Sequence, residues 1–242
     1  MSNRFEKYLV VLPARMGATR LPGKPLKEIG GVPLIHRTYD QVASLFTHVV
    51  IATDSEDILT YCKAHKLPVV QTGSHHINGT TRMLEAYQHI GKSFEYVINV
   101  QGDEPFISET QLGPLCTLLQ EHLPEAATLM APVSTEDSTS NVYVTTDLQQ
   151  RALLFSRSPI PANHHSTSLQ RFQHIGVYAY RPEALERYCA LSPTPLEQAE
   201  SLEQLRWMEH GFHWHVATAQ SKPLSIDTPQ DLALAESLLQ QS

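Results

Sequence analysis

The sequence predicts an α/β fold built on a mostly parallel sheet. Three observations carry that expectation. Short apolar runs such as "YLVVL", "HVVIA" and "YVIN" alternate with stretches of helical period through the first half of the chain. The links between them are short, which suits right-handed βαβ units. Hydrophobic residues make up 41% of the 242 positions, enough to bury a sizeable core.

Taken in order, "KYLVVLPA" (Lys7–Ala14) reads as a first strand apolar enough to be covered on both faces. "PLIHRTYDQVASLF" (Pro33–Phe46) reads as a helix with inward positions at 34, 35, 38, 42, 45 and 46. "HVVIAT" (His48–Thr53) is a strand. "SEDILTYCKAHK" (Ser55–Lys66) is a helix capped by Ser55 or Asp54, with Ile58, Leu59 and Cys62 inward. "LPVVQT" is a short strand, "GTTRMLEAYQHI" a helix, "EYVINVQ" (Glu95–Gln101) a buried strand and "SETQLGPLCTLLQEHL" a helix.

The second half changes rhythm. "AATLMAPV", "NVYVTT", "ALLFSR" and "HIGVYAY" read as strands, and "PIPANHHSTSLQRFQ" as an exposed loop. "PLEQAESLEQLRWMEHG" reads as one helix with Leu196, Ala199, Leu202 and Leu205 inward and Gly211 just past its end. "HWHVATA" is a strand. "TPQDLALAESLLQQ" is a closing helix with Thr228 as cap and Pro229 in its first turn. There is no internal repeat. One domain is expected: a nucleotide-binding part of about residues 1–130 and 215–242, with a less regular lobe of about 131–214 inserted in it.

The net charge of −7 argues against a nucleic-acid binder, which usually carries a basic face. "MSNRFEKYLVVLPA" does not read as a signal peptide, and no stretch approaches the roughly 18 apolar residues of a membrane span. Cys62, Cys116 and Cys189 are far apart and read as inert buried thiols in a reducing cytoplasm. The 13 histidines include His75-His76, His164-His165 and His213-Trp214-His215. With no cysteine or carboxylate at ligand spacing, they do not suggest a transition-metal site.

Against that acidic background one stretch stands out. "VVLPARMGATRLPGKPL" (Val10–Leu26) places Arg15, Arg20 and Lys24 among glycines and prolines directly after the first strand. Ligands of parallel sheets bind beyond the carboxyl ends of the strands. Glycines let backbone N–H groups approach a phosphate, and the cations add charge. The spacing matches neither a Walker loop nor a dinucleotide fingerprint. The alternative is an ordinary solvated loop.

Two acidic segments complement it. "NVQGDEP" puts Asp103 at the end of a buried strand, where it is either a Mg²⁺ ligand or part of a β-turn. "SIDTPQDL" puts Asp227 just before the last helix, where it is either a second carboxylate converging on Asp103 or simply a residue outside the cap. Arg157, His174, Tyr178 and Arg206 form a looser group in the second half; arginine suits planar carboxylate recognition, and each also reads as an ordinary surface or sheet residue.

"LPARMGATRLPGKPL", "ATDSEDI", "NGTTR", "VQGDEP", "ALLFSRSPIP", "HIGVYAYR", "PLEQAESLEQLR" and "IDTPQDL" follow one another across nearly the whole chain. Together they resemble the 3-deoxy-manno-octulosonate cytidylyltransferases, the CMP-Kdo synthetases of Gram-negative lipopolysaccharide or capsule synthesis. The resemblance implies a nucleotidyltransferase-type three-layer sandwich with an inserted dimerisation lobe, a cytoplasmic homodimer, and the reaction of CTP with the 2-keto-3-deoxy sugar acid Kdo, using Mg²⁺. By position, Arg15 and Lys24 would hold the CTP phosphates, helped by Arg20 and loop amides, and Ala14 would flank the cytosine. Gln101 and Asp103 would lie at the reacting centre, with Asp103 and Asp227 as the Mg²⁺ ligands. Arg82, Arg157, His174, Tyr178, Glu203 and Gln204 would surround the sugar acid, with Arg82 or Arg157 on its carboxylate.

The chain departs from the family pattern in three places. Where members usually read DHxSGT(D/E)R, it has "SHHINGTTR", so His75 replaces an Asp, Asn78 a Ser and Thr81 an acid. Tyr143 in "VYVTT" replaces a lysine, and residues 162–165 lack the usual arginine. Most of these changes fall on the sugar side. They leave three readings: the Kdo enzyme, a cytidylyltransferase for another sugar acid such as 8-amino-Kdo or a nonulosonic acid, and a non-catalytic nucleotide-binding homologue.

Overall fold

The computed structural model describes residues 5–17, 20–133, 141–162, 164 and 170–240. The chain divides into two units, Met1–Glu109 with Pro223–Ser242, and Thr110–Lys222.

In the first unit the elements run β1 (Tyr8–Ala14), β2 (Glu28–Ile29), β3 (Val32–Pro33), α1 (Leu34–Ala43), β4 (His48–Thr53), α2 (Glu56–Ala64), β5 (Val69–Gln71), α3 (Gly79–Ile90) and β6 (Tyr96–Asn99). The closing helix α8 (Pro229–Gln240) returns to this unit. The four strands β6, β1, β4 and β5 lie side by side in that order, all parallel. β1 is central. It pairs Leu9 with His48 on one side and Val97 on the other, and it is buried at all but one position. A strand covered on both faces has no polar face to present, hence the unbroken apolar run.

The helices follow from local signals. Ser55 caps α2 by accepting the Ile58 N–H, deciding between the two candidate caps. Asn78 caps α3 by accepting the Thr81 N–H at 3.0 Å, and Gly91, left-handed at φ 63°, ends it. Thr228 and Asp231 cap α8 reciprocally: the Thr228 N–H donates to Asp231 Oδ2 at 2.8 Å and the Asp231 N–H to Thr228 Oγ1 at 3.2 Å. Ala235 of α8 and Ile226 just before it pack with Leu21, Ile29 and Leu34, so the end of the chain is fastened to the loop that follows β1.

The second unit contains α4 (Glu109–His122), which begins at the last residue of the first, then β7 (Ala126–Pro132), β8 (Tyr143–Thr146), β9 (Ala152–Ser156), β10 (Phe172–Tyr180), α5 (Pro182–Ala190), α6 (Pro195–Glu200), α7 (Gln204–Glu209) and β11 (His215–Thr218). β11 pairs with β7 in parallel, but β7 with β10, β10 with β8, and β8 with β9 are antiparallel. This is the altered rhythm expected of the second half. The loop "PIPANHHSTSLQRFQ" falls partly outside the described residues.

One expectation is corrected. "PLEQAESLEQLRWMEHG" forms two short helices, not one, because Ser201 turns left-handed at φ 53° and ends α6. The break rotates the inward face: Leu202 and Leu205 are buried, while Leu196 and Ala199 are exposed. Arg206, read as a candidate carboxylate binder, instead closes this turn. Its Nη2 lies 2.5 Å from Glu197 Oε1 and its Nε 2.8 Å from Glu197 Oε2, with both side chains buried.

Removing one partner of a buried bidentate pair strands the other charge. Arg206→Ala is therefore expected to lower stability by about 3–5 kcal/mol, measured from urea unfolding midpoints. A midpoint equal to that of the parent protein would show the pair to be energetically idle.

Candidate functional site

The loop after β1 begins with Arg15, which is exposed. The amides of this loop were expected as a group to help hold phosphates, and that expectation falls only in part on residues 18 and 19, which lie outside the described residues. Buried Leu21 anchors the far limb of the loop, and Gly23 adopts a left-handed conformation at φ 69°. A residue with a Cβ is strained there. That turn starts a single 3₁₀ turn, Lys24–Leu26, and points the Lys24 ammonium back toward the sheet's carboxyl end.

The "QGD" turn reaches the same place from β6. A Cβ on Gly102 would lie 3.0 Å from the Pro13 carbonyl oxygen and 2.9 Å from Ile35 Cδ1, so only glycine lets the turn cross the end of β1 this closely. The Ile226 N–H donates to the Asp103 carbonyl at 3.0 Å, which sets "SID" alongside the turn.

Three distant segments thereby converge. Lys24 Nζ lies 2.5 Å from Asp103 Oδ2 and 3.0 Å from Asp227 Oδ1, and Arg20 Nη2 lies 3.2 Å from Asp227 Oδ2. Asp227 is thus more than the residue before a cap. Burial pulls the Lys24 pKa down, but the Asp103 and Asp227 carboxylates outweigh it and the net shift is upward, so the ammonium is charged throughout the neutral range. Two carboxylates facing one cation, with no sulfur or imidazole in the set, form an oxygen-donor pair of the kind Mg²⁺ takes alongside phosphate oxygens. The donor set fits that ion.

The other residues of this unit are placed differently. Ala14 closes β1 and is buried, opposite Thr53. Gln101 is half-buried, with Nε2 3.5 Å from Asn99 Oδ1. Arg82 is buried on α3 and committed locally: its Nη1 lies 3.2 Å from Asp54 Oδ1 and donates to Thr72 Oγ1 at 2.6 Å and to the Gly73 carbonyl at 3.3 Å. Asp54 entered the sequence reading only as a possible cap; its partner, 28 positions away, is what matters, and no local pattern marks it.

In the second unit, exposed Arg157 donates through Nε to the Glu200 carbonyl at 2.7 Å and through Nη2 to the Ser201 carbonyl at 3.3 Å. His174 is buried on β10. Thr128 Oγ1 donates to the Val177 carbonyl at 2.7 Å, so its 2.8 Å contact with His174 Nε2 is one it accepts, and the ring carries its proton on Nε2. Burial, with a smaller effect from Lys222, depresses the His174 pKa to about 3, and the ring is neutral. Tyr178 OH donates to Gln204 Oε1 at 3.5 Å. Glu203 precedes α7 and its carbonyl accepts the Tyr188 hydroxyl at 2.9 Å. Gln204 is 3% exposed, and its Nε2 finds no hydrogen-bond partner among the described residues. Tyr143, where the family pattern has a lysine, is buried in β8.

Cys62 and Cys116 are buried as expected, whereas Cys189 is only partly so. Burial pushes the Cys62 thiol to about 11 and the Cys189 thiol to about 12, which leaves both protonated at neutral pH. Among the described residues no helix is long and apolar enough to cross a membrane.

A family model described as cytidylyltransferase matches residues 9–216. Proteins named 3-deoxy-manno-octulosonate cytidylyltransferase are similar over nearly their whole length. The one from Phocaeicola vulgatus is 39% identical, covering 97% of this chain and 98% of its own. The one from Rhodopseudomonas palustris is 43% identical, covering 96% and 98%. A solved structure of CMP:2-keto-3-deoxy-manno-octonic acid synthetase complexed with CTP superposes with a TM-score of 0.89 at 35% identity, covering 98% of this chain and 99% of that one.

The neutral His174 makes a linkage prediction. The unfolded chain takes up a proton near the ordinary histidine value, but the folded ring refuses it until about pH 3. Stability is therefore lost as pH falls below about 6.5, by roughly 2 kcal/mol at pH 5 from this group alone. His174→Gln should show a smaller drop in urea midpoint between pH 7.5 and pH 5 than the parent protein. An equal drop would mean that His174 is not a source of the acid sensitivity.

Proposed function

Since the chain belongs to the cytidylyltransferase family, we propose that it transfers CMP from CTP to the anomeric hydroxyl of 3-deoxy-D-manno-octulosonate, giving CMP-Kdo and pyrophosphate. The observation that carries this reading is the convergence of Lys24, Asp103 and Asp227 beside a cationic loop. A protein that only bound nucleotide would have no need of both carboxylates.

The anomeric hydroxyl gives up its proton to solvent as its oxygen attacks the α-phosphorus in line, the bond from that phosphorus to the α–β bridging oxygen breaks, and pyrophosphate leaves with the electron pair. Such transfers need positioning and charge neutralisation more than covalent help. Arg15 and Lys24, with Arg20, are the residues proposed to hold the phosphates, and Ala14 to flank the base. Asp103 and Asp227 would hold Mg²⁺, which when bound neutralises charge on the α-phosphate and acidifies the attacking hydroxyl. Gln101 lies two residues before Asp103, at the start of the same turn, and is assigned to the reacting centre.

Arg157, His174, Tyr178, Glu203 and Gln204 are proposed to recognise the sugar acid. The buried, unpartnered Nε2 of Gln204 supports this, since a sugar hydroxyl would satisfy it. Arg82 keeps its place in the proposal as a positioning residue, because its guanidinium is already paired with Asp54. Nucleotide binding is assigned to about residues 1–130 and 215–242, and the inserted lobe to about 131–214. Leu148 and Leu153 are exposed on and beside the β8–β9 hairpin, which supports a homodimer formed through that lobe. A cytoplasmic location and a role in lipopolysaccharide or capsule synthesis complete the reading.

A second acceptor, 8-amino-Kdo or a nonulosonic acid, is favoured by the substitutions at His75, Asn78, Thr81 and Tyr143. Pyrophosphate release with CTP, UTP, ATP and GTP crossed against Kdo, 8-amino-Kdo and N-acetylneuraminate separates the readings. Turnover with CTP and Kdo alone supports the first. Preference for another acid moves the function to it. Folded protein that binds CTP but turns over nothing would leave a non-catalytic homologue.

Asp103→Asn should lower kcat more than tenfold with the fold intact; turnover at the parent rate would remove Asp103 from the reacting centre. Arg15→Ala should raise KM for CTP with a smaller effect on kcat. Unchanged CTP saturation would make Arg15 an ordinary surface charge.

A further inference from the structure

Histidine pairs without a nearby carboxylate did not suggest a transition-metal site in the sequence. The structure supplies the carboxylate. Glu85, two turns into α3, faces back onto the loop that precedes the helix, and one ligand atom each from His75, His76 and Glu85 lie within 4.8 Å of one another. None of these residues belongs to the Lys24–Asp103–Asp227 cluster.

The arrangement has the features of a built site. His76 Nε2 contacts Glu85 Oε2 directly, and its other nitrogen, Nδ1, lies 3.1 Å from Thr81 Oγ1. Thr81 Oγ1 is in turn 3.0 Å from Asn78 Oδ1, so the ring is held by a second partner from the helix cap. Outer hydrogen bonds of this kind fix the orientation of a ligating imidazole. The Glu85 carboxylate is held by the Gly73 N–H at 3.0 and 3.2 Å. Gly73 also makes room for His75: a Cβ there would come within 2.4 Å of its ring. His89, one turn further along α3, brings another imidazole to 3.8 Å from Glu85 Oε1.

We infer that His75, His76 and Glu85 form a site for a borderline divalent cation such as Zn²⁺ or Ni²⁺, closing the loop between β5 and α3 onto the helix. Two imidazoles and one carboxylate suit these ions rather than Mg²⁺. Metal–ligand bonds of about 2.0–2.1 Å put tetrahedral ligand atoms on the order of 3.3 Å apart. The three atoms reach that separation by small side-chain movements, as the ion replaces the hydrogen bond between His76 and Glu85. Three protein ligands leave a position open for water or for His89.

The test uses the full chain without an affinity tag, stripped of metal with EDTA and dialysed. Zn²⁺ is titrated calorimetrically, and Co²⁺ is titrated against its visible absorption as an independent reading of nitrogen and oxygen ligation. One equivalent is expected to bind, and Zn²⁺ should raise the melting temperature. His75→Ala, at an exposed position, and Gly73→Ala, which retains every ligand but crowds the His75 ring, should each weaken Zn²⁺ at least tenfold. Glu85→Gln should do the same. Circular dichroism of each metal-free variant confirms that it folds. Absence of stoichiometric binding by the parent chain would overturn the proposal. So would binding that is unchanged in both His75→Ala and Glu85→Gln, since the ion would then sit among the other histidines. Neither outcome depends on cytidylyl transfer, which is assayed separately with Mg²⁺.

Discussion

A single ammonium group organises the candidate site. Lys24 meets Asp103, 79 residues away, and Asp227, 203 residues away, and the chain has to satisfy several independent conditions for that meeting to occur. Gly23 has to turn left-handed, Gly102 has to lie against the Pro13 carbonyl, and the segment before α8 has to be pinned by the Ile226 N–H and the Thr228–Asp231 cap. Arg20 adds a second positive charge on the outer oxygen of Asp227, so two carboxylates and two cations balance locally within a chain of net charge −7. A concentrated, neutralised cluster can exchange partners with an incoming anion and its counter-ion at less cost than a lone buried charge.

What the sequence reveals and what it hides divide along physical lines. The central strands announce themselves because burial on both faces leaves no choice but apolar residues, as in β1, β4 and β6. Caps such as Ser55 and Thr228 are local and equally plain. The convergence of Asp103 and Asp227 is a tertiary fact that no spacing encodes, and for each segment alone a turn or a cap is an adequate explanation. The break at Ser201 escaped the periodicity because its neighbours continue a helical pattern, and a left-handed serine carries no compositional mark. Glu85 was hidden for another reason. It lies inside a regular helix and looks like one more solvated acid until the loop folds back over it.

The arginines show how residue type alone misleads. Arg206, Arg82 and Arg157 have the planar fork that suits a carboxylate ligand. In the structure Arg206 holds Glu197, Arg82 holds Asp54, and Arg157 holds the carbonyls of Glu200 and Ser201. Re-aiming a buried, paired guanidinium would leave its partner charge without compensation. Arg157 is different, because its guanidinium is exposed and donates to the neutral backbone oxygens of Glu200 and Ser201, so a ligand carboxylate competes with weaker partners. Exposure and partner charge, rather than the presence of arginine, separate the candidates for substrate contact from those that position the chain.

Partners in space also give meaning to the places where this chain departs from its relatives' pattern. Treated singly, His75, Asn78 and Thr81 look like unrelated losses. In the structure they are neighbours: Asn78 caps α3, Thr81 bonds both Asn78 and His76, and the His75 ring lies tilted against that of His76 with centroids 4.2 Å apart. An acid at position 81 would stand one helical turn from Glu85, a like-charge spacing that destabilises a helix. Threonine removes that repulsion and gives His76 a neutral partner for its second nitrogen. An aspartate at 75 would add negative charge to the same corner, where histidine instead adds a nitrogen donor. Two of the three substitutions thus remove a carboxylate from the surroundings of Glu85, His75 puts an imidazole in place of one of them, and Asn78 supplies the cap oxygen that holds Thr81.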